Sequence, residues 1–350
     1  MLREHVRGRN TFGATARVLL LAMGFLGRTA GAVSIDMVTV GNPGNAGDTR
    51  YAYPPNTPAS FGTVDYTYRI GKYEVTAGQY TAFLNSVAGV DAYELYSPVM
   101  ASSIYGCGIV RTGSGTDAEP YVYSVAPEAA NRPVNQVSWG DAARFANWLT
   151  NGQPSGAQDL TTTEDGSYYL NGATYNTALQ AVTRKADARY VIPTEDEWYK
   201  AAYYDPGKPG GAGYWTFPTK SDTAPGRDMY ELTNPGNNSN GYGLPYPIDP
   251  PYYTTVVGQF HLSASAYGTF DQGGNVEEWN EAIIGSYRVY RGGCFAVSTG
   301  YQEAPGRSSY YASSWGETGA IGFRVAEVPE PCSLLFLSAA TSIAFVIRRK

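Results

Sequence analysis

The sequence predicts an α+β domain with few helices, short strands and long loops. Three observations lead there. Only three segments join a helix-start signal to helical spacing of apolar residues. The strand-like runs are four or five residues long. Tyrosine (30) and glycine (41) are abundant, which favours short strands and many turns. The first strand-like run, Tyr66 to Ile70, leads to Thr76, whose partner Gln79 three residues on completes a capping box. Tyr80, Phe83, Leu84 and Val87 then follow at helical spacing. Ser138 with Asp141 predicts a second helix, with Ala142, Phe145, Ala146 and Leu149 on one face. A strand over Arg189 to Ile192 precedes Pro193, and Thr194 with Glu197 caps a third helix that carries Trp198, Ala201 and Ala202 on one side. Pro206 to Tyr253, rich in Gly, Pro, Asn and Tyr, reads as a large loop region. Tyr287 to Tyr290 and Gly322 to Ala326 complete the strands.

The chain is 43% hydrophobic and 14% aromatic, enough for a sizeable core, and only 16% charged against the usual fraction of about 25%. A net charge of −6 and the lack of a basic stripe outside the termini argue against a nucleic-acid partner. Arg3, Arg7, Arg9 and Arg17, the short apolar run Val18 to Leu26, and the small residues Ala30-Gly31-Ala32 read as a signal peptide over 1–32. A buried first element of the fold is the alternative. At the other end, Val328-Pro329-Glu330-Pro331 precedes a mostly apolar run from Cys332 to Ile347 and the cations Arg348-Arg349-Lys350, which hold that end on the cytoplasmic side. This order resembles the PEP-CTERM sorting signal of Gram-negative bacteria. The resemblance implies exosortase-type sorting machinery as a partner and a cell-envelope location, with membrane contact only through 328–350. A plain membrane anchor would share the topology.

Between the ends lies one domain, 33–327. Its cysteines are Cys107 and Cys294, which an oxidising compartment would allow to pair, and Cys332 falls in the tail. With His5 in the signal, His261 is the one histidine of the mature chain. That count excludes three-histidine metal sites, HExxH motifs and two-histidine iron centres. His261 reads as an ordinary surface or packed residue.

Six segments stand in a recognisable order. They are Arg69-Ile70-Gly71-Lys72-Tyr73-Glu74-Val75-Thr76, then Arg132-Pro133-Val134-Asn135-Gln136-Val137-Ser138-Trp139, then Arg189 through Trp198. Tyr267 through Trp279 follows, with Asp271-Gln272-Gly273-Gly274-Asn275-Val276-Glu277-Glu278 inside it, and then Arg291-Gly292-Gly293-Cys294-Phe295 and Gly322-Phe323-Arg324-Val325. Across about 60–326 they resemble the formylglycine-generating-enzyme, or sulfatase-modifying-factor, family. The resemblance implies an elaborated C-type-lectin-like fold. In that family two cysteines shortly after the Arg-Gly-Gly motif hold the copper that oxidises a substrate cysteine. The matching positions here are Val297 and Gln302, which supply no thiolate, so copper and formylglycine-generating activity are not expected.

The resemblance also implies a structural calcium ion (Ca2+) held by the side chains of Asp271 and Glu278 and the carbonyls of Gly274 and Val276, an all-oxygen set suited to that cation. A carboxylate that merely hydrogen-bonds the turn is the alternative for Glu278. Arg291, Cys294, Tyr301 and Arg307 fall where the family's cleft lies and form a candidate pocket. Arg291 beside Cys294 would favour a reactive thiolate; the alternatives are a buried thiol or half of a disulfide. Arg69, Arg132 and Arg189 are expected to partner backbone or carboxylates. Two functions stay open: a binding module for an exopolysaccharide or other surface ligand, or an oxidoreductase-type enzyme of unassigned chemistry centred on Cys294.

Overall fold

The computed structural model describes residues 32–52, 58–229, 234–238, 248 and 250–329. The predicted signal segment apart from Ala32, and the sorting segment after Pro329, lie outside the described residues. The chain runs β1 (Met37–Val40), β2 (Tyr68–Gly71), α1 (Ala77–Val87), α2 (Val99–Ser102), β3 (Ile109–Thr112), β4 (Val122–Val125), α3 (Pro127–Ala130) and α4 (Trp139–Thr150). It continues through α5 (Asn176–Ala181), β5 (Tyr190–Val191), α6 (Glu195–Tyr203), β6 (Tyr204–Asp205), β7 (Gly213–Tyr214), β8 (Glu277–Ile284) and β9 (Tyr287–Arg291), and ends with β10 (Ser308–Tyr310), β11 (Ile321–Gly322) and β12 (Ala326–Glu327). Few helices, short strands and long loops make this an α+β fold. Among the described residues, no helix is long and apolar enough to cross a membrane.

All three expected caps form. The backbone N–H of Thr76 donates to Gln79 Oε1 at 2.8 Å, and that of Gln79 to Thr76 Oγ1 at 3.2 Å. Ser138 with Asp141, and Thr194 with Glu197, repeat the exchange at the starts of α4 and α6. Each box satisfies two of the donors a helix leaves orphaned at its start. Helices α1 and α4 meet through Phe83 and Phe145, whose ring centroids lie 5.3 Å apart, and Phe323 packs on Phe145 at 5.4 Å. Helix α4 goes further than a one-faced amphipathic helix, because every residue from Trp139 to Leu149 is buried. Its polar side is satisfied internally: Arg144 forks onto Glu164, and Asn147 donates to the carbonyls of Thr163 and Tyr168.

Two four-stranded sheets carry the domain, in the orders β1-β2-β12-β5 and β10-β9-β8-β11. The first is antiparallel throughout, whereas β11 runs parallel to β8 in the second. The strand expected over Gly322 to Ala326 is therefore two strands in different sheets. Its middle, Phe323 to Val325, is the crossing between them, where the carbonyls of Phe323 and Val325 accept from the N–H groups of Val75 and Gly71. Strand β8, the longest among the described residues, has no counterpart among the expected strands. Its sequence, Glu277-Glu278-Trp279-Asn280-Glu281, is buried through Asn280 yet largely polar, so hydrophobic alternation gives no sign of it.

Candidate functional site

The two glycine motifs form one clasp. Gly274 N–H donates to the Gly292 carbonyl at 2.9 Å, and Phe295 N–H to the Asn275 carbonyl at 3.0 Å. Glycine is required at the contact itself. A Cβ on Gly274, whose φ is +92°, would sit 2.3 Å from the Asn237 carbonyl oxygen, and one on Gly292 (φ +101°) would sit 2.8 Å from that of Gln272.

Around the clasp, the charged residues of the sequence motifs pair with one another. Glu278 is fully buried and receives a fork from Arg324, at 2.5 and 2.6 Å, together with Trp198 Nε1–H at 2.7 Å. Arg291 donates to Glu195 Oε1 at 2.7 Å and to the carbonyls of Ala304 and Gly306. Arg307 holds both oxygens of the same Glu195, at 2.8 and 2.7 Å. Arg184 spans Glu197 and Glu281, and Arg69 and Arg189 both reach Glu327. Arg132 donates to the carbonyls of Glu128 and Thr254.

The structure thus brings Arg291 and Arg307 together, with Tyr301 packed near Gly293, but it does not turn Cys294 towards them. Cys294 enters an apolar cluster with Tyr253, Phe295 and Val297. Both Cys107 and Cys294 are buried and unpaired. Burial, followed by the negative charge of Glu277, pushes the Cys294 thiol well up from its usual range. The expectation that Arg291 would favour a thiolate fails for a plain reason: its guanidinium is committed to Glu195. Val297 and Gln302, at the two copper-ligand positions, are both buried, and among the described residues neither amide atom of the Gln302 side chain has a hydrogen-bond partner. A valine and an amide do not suit copper(I), which prefers soft thiolates.

At the Asp271 turn the donor chemistry is all oxygen, as calcium requires. Asp271 adopts φ +60° and accepts from Gly258 N–H at 2.5 Å. Beside it lies Glu74, which accepts from Asn275 through one oxygen while its other, buried oxygen has no partner among the described residues. Burial holds Asp271 up to about 6, and burial with the charges of Asp271 and Glu278 holds Glu74 well above its usual value. Glu74, Asp271 and Glu278 thus outnumber Arg324 by three carboxylates to one guanidinium. Glu278 itself has both oxygens engaged.

A match to the sulfatase-modifying factor enzyme 1-like domain covers residues 29–328, most of the chain. The chain belongs to this family. Among curated proteins none matches it significantly. Among solved structures, this sulfatase-modifying-factor-like chain is similar to CarF, at 20% identity and a TM-score of 0.50 over 85% of this chain and 100% of that one. It is also similar to Treponema denticola variable protein 1 (20%, TM-score 0.47, 85% and 97%) and to PvdO from Pseudomonas aeruginosa (19%, TM-score 0.41, 84% and 92%). Likeness at such identity speaks for the shared fold alone.

Away from the family motifs lies a cleft of about 370 Å³, walled by the loop from Val90 to Pro98, by Arg111 and Tyr121 of the β3–β4 hairpin, and by Ser314 and Glu317. A narrow extension sharing Glu94, Ser314 and Glu317 leads inward to Asp141 and Arg144. Sequence reading missed this site because its carboxylates, Asp91, Glu94, Asp141 and Glu317, are scattered over the chain and form no local motif. His261, by contrast, is exposed, as an ordinary surface residue would be.

Proposed function

We propose that this family member is an exported, envelope-sorted binding protein, which holds an exopolysaccharide or other surface glycan and does not perform the family's copper-dependent cysteine oxidation. The observation that carries this reading is the pair of copper-ligand positions, filled by buried Val297 and Gln302. The rival, an enzyme centred on Cys294, needs a reachable thiolate, and the burial of that thiol weighs against it. A thiol reagent added to native protein should leave Cys107 and Cys294 unmodified over the time in which unfolded protein reacts fully. Rapid, selective modification of Cys294 would favour the enzyme.

Export and sorting rest on the terminal segments. Envelope material should begin near Val33 and lack the segment after Pro331, as read by intact mass; retention of both ends would contradict it. We also propose calcium at the Asp271 turn, with the side chains of Asp271 and Glu278 and the carbonyls of Gly274 and Val276 as donors. The surplus of carboxylates over Arg324 supports it. Glu278 would share its oxygens between the ion and the bonds it accepts from Arg324 and Trp198.

A further inference from the structure

We infer that the cavity beside Arg69 is an intramolecular dock for Glu330, which latches the Pro329-Glu330-Pro331 segment to the folded domain. The dock is a charge contact and stands or falls separately from the reading of the tail as a sorting signal.

The cavity, of about 400 Å³, opens at the end of the first sheet, where the chain leaves β12 between β2 and β5. Strand register sets its charged wall. Glu327 of β12 pairs with Arg69 of β2, and Thr39 of β1 pairs with the same arginine, so the three stand on one face of the sheet. Arg69 Nη1 donates to Glu327 Oε2 at 2.7 Å, and Arg189 donates to Oε1 through Nε and Nη2, at 3.2 and 3.1 Å. One carboxylate thus faces two guanidinium groups, a local surplus of positive charge in a chain whose net charge is −6. Both oxygens of Glu327 are taken, whereas Nε and Nη2 of Arg69 donate to nothing among the described residues. Arg69 lines the cavity and is 53% exposed, so those donors are open to a carboxylate from outside the sheet.

Charge and chain length both point to Glu330 as that carboxylate. Val328 N–H donates to the Arg189 carbonyl at 2.9 Å, and Val328 and Pro329 form part of the cavity wall. Glu330 is the next residue, about 3.8 Å of chain further on. It is also the one acidic residue after Glu327; an apolar run and the cations Arg348-Arg349-Lys350 make up the rest. The single negative charge of the tail therefore starts at the mouth of a cavity with positive charge to spare. Prolines on both sides limit the conformations open to Glu330, which reduces the entropy lost on seating it. Arg69, Arg189 and Glu327 meet only when the sheet is paired, so the folded domain alone builds the dock. Cleavage beyond Pro331 then waits on release of the segment.

The test is the rate at which a proline-specific endoprotease cuts after Pro331 in the purified full-length chain, held in neutral detergent micelles. Arg69→Gln leaves the tail sequence unchanged and should speed the cut by roughly twofold to fivefold, the range expected of a partly exposed ion pair. Glu330→Gln should do the same once its rate is normalised to that of a free peptide of identical sequence. The double variant should be cut no faster than either single one, and the reversed pair, Arg69→Glu with Glu330→Arg, should restore slow cleavage. A melting curve of Arg69→Gln matching the wild type shows that the sheet is intact, and Glu330→Gln lies outside the sheets. Equal rates in wild type and both single variants, or additive effects in the double variant, overturn the dock. Protection that needs anionic phospholipid in the micelle and survives Glu330→Gln gives the cavity to a lipid headgroup and overturns it too.

Discussion

In the motif core, Glu195, Glu197 and Glu278 each meet an arginine; in the cleft, Glu94, Asp141 and Glu317 meet none among the described residues. Both regions are acidic, and the cleft too holds a buried carboxylate, Asp141, beside a half-buried Glu317 and an exposed Glu94. What differs is whether the fold supplies the counter-charge. Where it does, the carboxylate joins one segment to another distant in sequence, as Glu278 of β8 joins the Arg324 crossing. Where it does not and the group is withdrawn from water, as at Asp141 and Glu317, burial holds the carboxyl above its usual pKa. The arginine-paired carboxylates of the motifs, Glu195, Glu197 and Glu278, are thus mainly framework, while Glu74 and Asp271 beside them are left with a surplus of negative charge.

The sharpest way to break this contrast is to remove one charge from each region. Arg324→Met leaves Glu278 buried without its partner and should cost about 3–5 kcal/mol in denaturant unfolding. Glu317→Gln should do the opposite. Burial first, then the charge of Asp141, raises Glu317 to about 8 from its usual 4.5, with Asp91 and Glu94 adding to the repulsion; Arg111 and Arg144 are engaged elsewhere. A carboxyl raised in the folded state binds its proton more tightly than the unfolded chain does. Wild-type stability therefore falls as pH rises from about 4.5 towards 8. The glutamine variant should lack that loss and exceed the wild type by roughly 1 kcal/mol at pH 8, a figure discounted for partial solvent screening. Equal destabilisation by both substitutions would erase the distinction between framework and cleft.

Calcium sharpens the same comparison from the core side. If an ion neutralises the surplus of Glu74 and Asp271, it binds only the folded chain and adds roughly 2.7 kcal/mol at a hundredfold excess over its dissociation constant. Chelator should then lower the melting temperature by several degrees, and millimolar calcium should restore it. Asp271→Ala should abolish the response, and Glu277→Ala should not. Identical melting with chelator and with calcium would leave Arg324 as the only counter-charge.

The helices were legible because their signals are local: a threonine or serine, its partner three residues on, and apolar spacing behind. Thr76, Ser138 and Thr194 all cap as their neighbours dictate. The sheets were less so. Strand β8 carries Glu277, Glu278 and Asn280 inward, and the charge of Glu278 is satisfied by Arg324, 46 positions away, a pairing that periodicity does not report. The glycine motifs were readable as motifs, but that Gly274 and Gly292 are two halves of one clasp follows only from the fold. Arg291 shows the limit most clearly: adjacent in sequence to the Gly-Gly-Cys turn, it points to Glu195 rather than to Cys294. The cleft had no local signal at all, because Glu94, Asp141 and Glu317 come from three distant segments.

The central claim, that this chain keeps the family's scaffold without its oxidation chemistry, is tested most directly by incubating the purified protein with copper, oxygen and a sulfatase-type cysteine peptide and weighing the peptide. With Val297 and Gln302 in place of thiolate ligands, the cysteine should stay unconverted with and without copper. Formylglycine in the peptide, produced with turnover and lost when copper is removed, would contradict the account.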